Sequence, residues 1–262
     1  MIGKSVSLLK TRGAAGLLAA VGRRVRPRRL KCCAAVRDLI DRQTGLEIGG
    51  PSDLFSRRGL LPAYAIARRV DNCNFSYTTV WEGAIQEGLT FRFDARHAPG
   101  RQYVLEATDL SPIESASYDF VLASHTLEHI ANPLGALREW TRTLKAGGVL
   151  VVVLPDRERT FDHRRAVTTF GHLIQDYERG TAEEDLTHLP EILECHDLAM
   201  DLPAGDFAAF RARSERNVEN RCLHHHVFDP GLVRETIEWA GLELLAIELA
   251  APHHIFALAR KR

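Results

Sequence analysis

Between residues 45 and 155 short apolar runs of strand length alternate with polar turns. Residues 46–48 (LEI) end in Gly49-Gly50-Pro51-Ser52, and residues 64–70 predict a second strand closing on Asp71. A short helix is predicted over 79–88, then a strand over 103–105 followed by Glu106-Ala107. Residues 118–123 (YDFVLA) predict a fourth strand, with Ser124-His125 at its carboxyl end. Asn132-Pro133 opens a helix to residue 144 that carries Leu134, Leu137, Trp140 and Leu144 on one face, and Lys145-Ala146-Gly147-Gly148 stops it. Residues 149–154 (VLVVVL) form an unbroken apolar run ended by Pro155, the pattern of a strand buried on both faces of a parallel sheet. A helix over 229–240 and strands over 243–249 and 254–259 follow; the last two lie so close that they require an antiparallel hairpin. Alternating strands and helices predict an open, doubly wound α/β sheet. About 70 residues, 156–227, interrupt the rhythm before the last helix and predict an inserted lid.

The chain has 262 residues, 45% hydrophobic and 26% charged, which fits one large ordered domain with an insertion. The 34 basic and 34 acidic residues cancel, so a protein coating nucleic acid along its surface is not expected. No apolar run approaches the ~20 residues of a membrane span. Five cysteines without a CxxC pair signal neither a zinc knuckle nor a disulfide framework. With no secretory leader pattern at the N-terminus, the expected location is the reducing cytoplasm. The charge balance hides an asymmetry: residues 1–45 hold eleven Lys and Arg against two Asp, a net +9, and the rest of the chain carries −9. This basic arm, residues 1–44, has two readings. Either it touches anionic lipid at the inner face of the membrane, or it packs on its own acidic domain.

In an open α/β sheet, ligands sit beyond the carboxyl ends of the strands. Gly49 and Gly50 let a backbone approach a ligand closely. Glu47 is placed to accept from an ammonium group or to organise the loop, and Asp71, 22 residues after Gly49, to accept from ribose hydroxyls. GGPSDLF lacks the third glycine of a dinucleotide fingerprint, and no P-loop is present. What remains is a nucleoside site without a pyrophosphate cradle.

LEIGGPS, EATDL, YDFVLASHTLEH and LKAGGVLVVVLP, in that order, resemble the motifs of class I, type 11-like methyltransferases that use S-adenosylmethionine. The resemblance implies a seven-stranded Rossmann-like methyltransferase sheet. It implies that Glu47, Gly49 and Gly50 hold the amino-acid portion of the cofactor and Asp71 the ribose. It places Glu106 and Ala107 at the adenine and Ser124-His125 at the sulfonium. Gly-Pro-Ser stands where many members have a further glycine. FDHRR (161–165), HLIQDY (172–177) and HHHVFD (224–229) further resemble a bacterial branch associated with polysaccharide biosynthesis, which implies a sugar or glycan acceptor.

Seven of the twelve histidines fall in the insertion. Histidine suits removal of a hydroxyl proton near neutral pH, or metal ligation as neutral imidazole. Three readings stand. His125, His163 or His225 acts as general base in an O-methyl transfer. Alternatively His125-x-x-Glu128-His129, similar to an ExxEH site of certain methyltransferases, binds a divalent metal on one helix face. The third reading is structural pairing of His with Asp and Glu. His188, Glu191, Glu194, His196 and Asp197 form either a second metal cluster or a solvated helix face, and Arg157, Arg164 and Arg165 are candidate clamps for an anionic group. Other functional readings are a lipid-soluble or natural-product acceptor, and a non-catalytic scaffold that keeps the fold. The oligomeric state is left open.

Overall fold

The computed structural model describes residues 30–262; residues 1–29 of the basic arm, on which the expected membrane contact mostly falls, lie outside the described residues. Helix α1 (Cys33–Ile40) precedes strand β1 (Thr44–Ile48) and buries Val36 and Ile40, one helical turn apart. A four-residue helix, α2 (Ala63–Ile66), leads into β2 (Arg69–Asn74). Then come a small hairpin, β3 (Thr78–Thr79) with β4 (Gly83–Ala84), and strands β5 (Gly88–Phe91), β6 (Gly100–Val104) and β7 (Tyr118–Ser124). Helix α3 (Pro133–Thr143) joins β7 to β8 (Leu144–Pro155), its start fixed by the Asn132 side chain accepting from Gly135 N–H. After the insertion, α8 (Pro230–Trp239) leads to β9 (Leu242–Ala250) and β10 (His254–Lys261).

The sheet order is β5-β6-β2-β1-β7-β8-β10-β9. Strands β6, β2, β1, β7 and β8 run parallel; β5, β10 and β9 pair antiparallel with their neighbours. The order reverses between β1 and β7, so the switch-point crevice opens above their carboxyl ends. The VLVVVL run divides cleanly between faces. Leu150, Val152 and Leu154 pack with Trp140 and Leu137 on one side, whereas Val149, Val151 and Val153 meet Val36, Ile40 and Phe55 on the other.

Two elements differ from expectation. Residues 79–88 form a hairpin and the start of β5, not a helix, because Gly83 turns the chain at φ 69° and the β-branched Thr78 and Thr79 pair across it. This adds an eighth, antiparallel edge strand to the expected seven. Residues 64–66 belong to α2, and β2 starts only at Arg69, so its carboxyl end is Asn74 and not Asp71.

The insertion carries α4 (Phe170–Arg179), α5 (Leu189–Cys195), α6 (Phe207–Ser214) and α7 (Asn217–Asn220). Ile192, Ala204, Phe210 and Leu223 give it a small core of its own, while Leu173 packs into the main one. Among the described residues no helix is long and apolar enough to cross a membrane.

Candidate active site

A cavity of about 550 Å³ lies at the switch point. The ends of β1, β2, β6 and β7 form its floor through Gly49, Asn74, Glu106, Ala107, Ser124 and His125. Trp81 of the hairpin, Glu183 and Arg221 of the insertion, His253 of the β9–β10 turn and His254 at the start of β10 form its walls.

Gly49 carries a requirement no other residue meets. Its φ is +77°, and a Cβ there would stand 2.6 Å from Thr126 Oγ1. That hydroxyl is itself fixed, donating to the Ile48 carbonyl at 3.1 Å. The β1 loop then turns through Gly50-Pro51 so that Ser52 Oγ reaches Ser124 Oγ at 3.1 Å, closing the floor across the crevice.

Glu47 does not line the cavity. It is fully buried behind the loop, where Oε1 lies 3.1 Å from Ser52 N and Oε2 2.6 Å from Tyr64 Oη. Burial is the main cause that pushes its pKa up, to about 8. The folded protein thus holds a proton that the unfolded chain releases near 4.5, and stability falls as pH rises between the two values. Glu47→Gln keeps the bond from Ser52 N, replaces the one from the Tyr64 hydroxyl by a bond donated to it from Nε2, and removes the titration. It should match the parent near pH 4.5 and exceed it by roughly 2–4 kcal/mol above pH 8, as denaturant unfolding across that range will show.

Gly50 also sits beneath the cavity, its N–H donating to Asn72 Oδ1 and its carbonyl accepting from Asn72 Nδ2. Asp71 is three residues short of the strand end. It is buried, paired with Arg69 at 2.7 Å, and accepts from Arg101 N and from the Tyr118 hydroxyl. The position expected of Asp71 is occupied by Asn74, held by Asn72 and Gln102. Gly49, Glu106, Ala107, Ser124 and His125 line the cavity.

His125 stands at the end of β7 with φ 51°, its N–H donating to the Val153 carbonyl. Its Nε2 is 2.8 Å from His254 Nδ1, and its Nδ1 is 3.4 Å from Glu128 Oε1. Glu128 is completely buried, and among the described residues neither carboxylate oxygen has a hydrogen-bond partner of good geometry. Burial, with His125 and His253 adjacent, pushes the His254 pKa down to about 3, so this imidazole is neutral. The chain Glu128–His125–His254 therefore holds one uncharged imidazole against another that is backed by a carboxylate.

The other candidate bases are elsewhere. His163 pairs with Asp197 at 2.9 Å on an oxygen that Arg164 also contacts, outside the cavity lining. His225 is 1% exposed, its Nε2 against Asn217 Nδ2, and burial pushes its pKa down to about 3. The set His125, Glu128 and His129 does not share a helix face, because residues Leu127–His129 make a single 3-10 turn after the strand end. Its ligand atoms fall into two groups, His125 with His253 and His254, and Glu128 and His129 with His224, which touch where His125 Nδ1 stands 3.4 Å from Glu128 Oε1. The run from His188 to Asp197 does not converge either. His196 lies against Asp201 at 3.2 Å, Asp197 caps the following turn, and His188 joins His172, Asp176 and His226.

The arginine clamp is also displaced. Arg165 is buried on Asp162 and the carbonyls of His224 and His225; Arg157 is bound to Glu158 and to the Arg165 carbonyl. Arg221 reaches the cavity instead, 2.7 Å from Glu106 and 2.6 Å from Glu183, with its guanidinium 4.9 Å from the Phe75 ring. The sequence reading did not single out Trp81, Glu183, Arg221, His253 or His254. The final hairpin, which it did predict, holds the signal for the last two. A strand pair antiparallel to β8 must place its turn beside the β8 carboxyl end.

Residues 68–152, from just before β2 to near the end of β8, match a family model described as a methyltransferase domain. A comparison with curated proteins finds no match. Among solved structures, an S-adenosylmethionine-dependent methyltransferase from Mesorhizobium loti is 14% identical, covers 88% of this chain and 96% of its own, and superposes with a TM-score of 0.51. One from Aquifex aeolicus is 12% identical over 92% of this chain and 93% of its own, with a TM-score of 0.45. One from Methanosarcina mazei is 14% identical over 87% and 96%, also at 0.45. The first likeness shows the fold: the sheet described above is a Rossmann-like methyltransferase sheet.

Proposed function

We propose that the protein transfers a methyl group from S-adenosylmethionine to a hydroxyl of a sugar or glycan intermediate. One observation carries this reading: the cavity at the switch point joins a glycine-floored nucleoside site to the Glu128–His125–His254 chain. The volume, about 550 Å³, is within the range of small-molecule sites. Gly49, Ser52, Asn74, Glu106 and Ala107 would hold the cofactor, with Ser124 and His125 at its reactive end. When bound, S-adenosylmethionine supplies an electrophilic methyl carbon. The acceptor oxygen would displace the thioether in one step; because both His125 nitrogens are engaged, the hydroxyl proton would enter at His254 Nε2 while the His254 Nδ1 proton passes to His125 Nε2, and the Glu128 carboxylate would stabilise the charge so gained.

The walls support a sugar. The Trp81 and Phe75 rings offer apolar faces for the C–H side of a pyranose, and Glu183, Arg221 and His253 offer hydrogen bonds to its hydroxyls. Arg221 is already matched by two carboxylates, which favours a neutral acceptor over a phosphate. A second reading, a lipid-soluble or natural-product acceptor, is favoured by Tyr77, Val80 and Trp81, apolar side chains left exposed on and beside the hairpin near the cavity.

Calorimetric titration with S-adenosylhomocysteine, with NAD as control, tests the cofactor. Micromolar binding of the former alone is expected, weakened at least about tenfold by Gly49→Ala, which combines an unfavourable φ with a clash. No binding sinks the reading. Transfer of label from tritiated S-adenosylmethionine to sugar nucleotides and glycan intermediates, against quinones and polyprenols, decides between acceptors; binding without transfer to either class points to the scaffold.

A further inference from the structure

Away from the cavity, four side chains of the insertion aim their ligating atoms at one point. His172 Nε2 is 2.9 Å from His188 Nε2 and 3.2 Å from Asp176 Oδ2; His226 Nε2 is 3.0 Å from the same carboxylate oxygen. All four atoms lie within 4.8 Å of one another. Metal–ligand bonds of 2.0–2.1 Å in a tetrahedron set the ligand atoms about 3.3 Å apart, the spacing that the three contacts of 2.9, 3.0 and 3.2 Å approach.

Hydrogen bonding alone describes it poorly. His226 can donate to Asp176, but His172 Nε2 then faces both the His188 nitrogen and the Asp176 oxygen with one hydrogen to serve two acceptors. One outer contact is that of a ligand being oriented: Thr181 Oγ1 donates to Asp176 Oδ1 at 3.0 Å, leaving Oδ2 to the cluster.

We infer that His172, Asp176, His188 and His226 form a tetrahedral site for a zinc-type divalent cation that fastens the insertion beside the active-site cavity. Three imidazoles and one carboxylate suit zinc better than magnesium or calcium, which take oxygen ligands. Four protein ligands close the coordination shell, and none of the four lines the cavity, so the role is structural. His172 and Asp176 are one turn apart on α4, His188 sits at the start of α5, and His226 lies in the segment that returns to α8. The cation thus ties three distant segments together. Glu183 lies on the loop between Asp176 and His188, and Arg221 precedes His226 by five residues. Their ion pair at 2.6 Å forms part of the cavity wall, so the cation would set that wall without touching substrate. This inference stands independently of the reaction proposed for the cavity.

The test is elemental analysis of the untagged full chain after dialysis, together with thermal unfolding before and after chelation. About one zinc-type ion per chain is expected, with an unfolding temperature that falls on chelation and recovers when zinc alone is returned. His188→Asn should lose the ion. His188→Cys should keep it, and after cobalt substitution should gain a thiolate-to-cobalt charge-transfer band that the parent lacks. Absence of metal together with no thermal response to zinc overturns the proposal. So does an ion that survives in His188→Asn, or one that is lost in Glu128→Gln while the His188 variants retain it. If His188→Asn does not fold, the cobalt spectrum of His188→Cys decides.

Discussion

His125→Asn should lower methyl transfer by about 10²–10⁴-fold, the usual contribution of a positioned general base, while S-adenosylhomocysteine affinity changes far less. Asparagine suits this test because His125 occupies the left-handed region, φ 51°, which Asn tolerates better than Ala. It keeps the backbone N–H bond to the Val153 carbonyl, so the local frame is kept. What it cannot do is accept a proton. The measurement is the initial rate of label transfer from tritiated S-adenosylmethionine, beside a calorimetric titration of the same preparation. A variant retaining more than about a tenth of the parent rate would remove His125 from proton transfer and leave alignment as the main source of rate. Equal losses in rate and in cofactor binding would mean that His125 only holds the cofactor.

His125 was legible in the sequence because YDFVLASH ends a strand flanked by turn signals, and strand ends at a switch point are where ligands sit. The same logic picked out Gly49, Glu106, Ala107 and Ser124, which line the cavity. It failed for Asp71 through a register error. Residues 64–70 are apolar enough to read as a strand, yet 64–66 pack as a helical turn under Phe93 and Phe55, and the strand begins at Arg69. Moving the strand end by three residues exchanges a ligand for a buried ion pair. It failed for Glu47 because spacing cannot tell a carboxylate beside the cavity from one behind the loop. The histidines show a deeper limit. Their abundance in the insertion was plain, but their grouping depends on how α4 and the 222–227 segment meet, which no local pattern encodes. Sequence neighbours parted as a result: His224 faces His129, His225 faces Asn217, and His226 faces Asp176. The expected helix over 79–88 was overruled by Gly83 and by pairing across the hairpin, and with it went sight of Trp81 on the cavity wall.

Asp162→Ala should destabilise the protein by about 3–5 kcal/mol, because it strands buried positive charge. Asp162 joins two groups that have little access to water: Arg165 Nη1 at 3.1 Å, with that side chain 1% exposed, and His224 Nδ1. Burial alone would raise the Asp162 pKa, but the charges and hydrogen bonds of His224 and Arg165 outweigh it and bring the carboxyl down to about 2. For His224, burial opposes the charged form, and the Asp162 carboxylate reverses the balance so that its pKa is raised. The folded pKa of Asp162 is below its unfolded value of 3.8, so its stabilisation is full above that pH and disappears as pH falls toward 2. His224 runs the other way: its share is present below the unfolded value of 6.5 and is lost as pH rises through its raised folded pKa. Guanidinium unfolding at pH 5, where both shares are present, should therefore show the largest gap between parent and variant. At pH 7 the thermal midpoint of Asp162→Ala should drop by roughly 10 °C. A drop of less than about 2 °C would mean that Arg165 finds another counter-charge, and Glu191, 3.3 Å from its Nε, is the residue placed to supply it. Because Arg165 also donates to the carbonyls of His224 and His225, the loss should spread to the HHHVFD segment. That segment carries His226 of the proposed cation site and follows closely on Arg221 of the cavity wall, so S-adenosylhomocysteine binding should weaken even at temperatures where the variant stays folded.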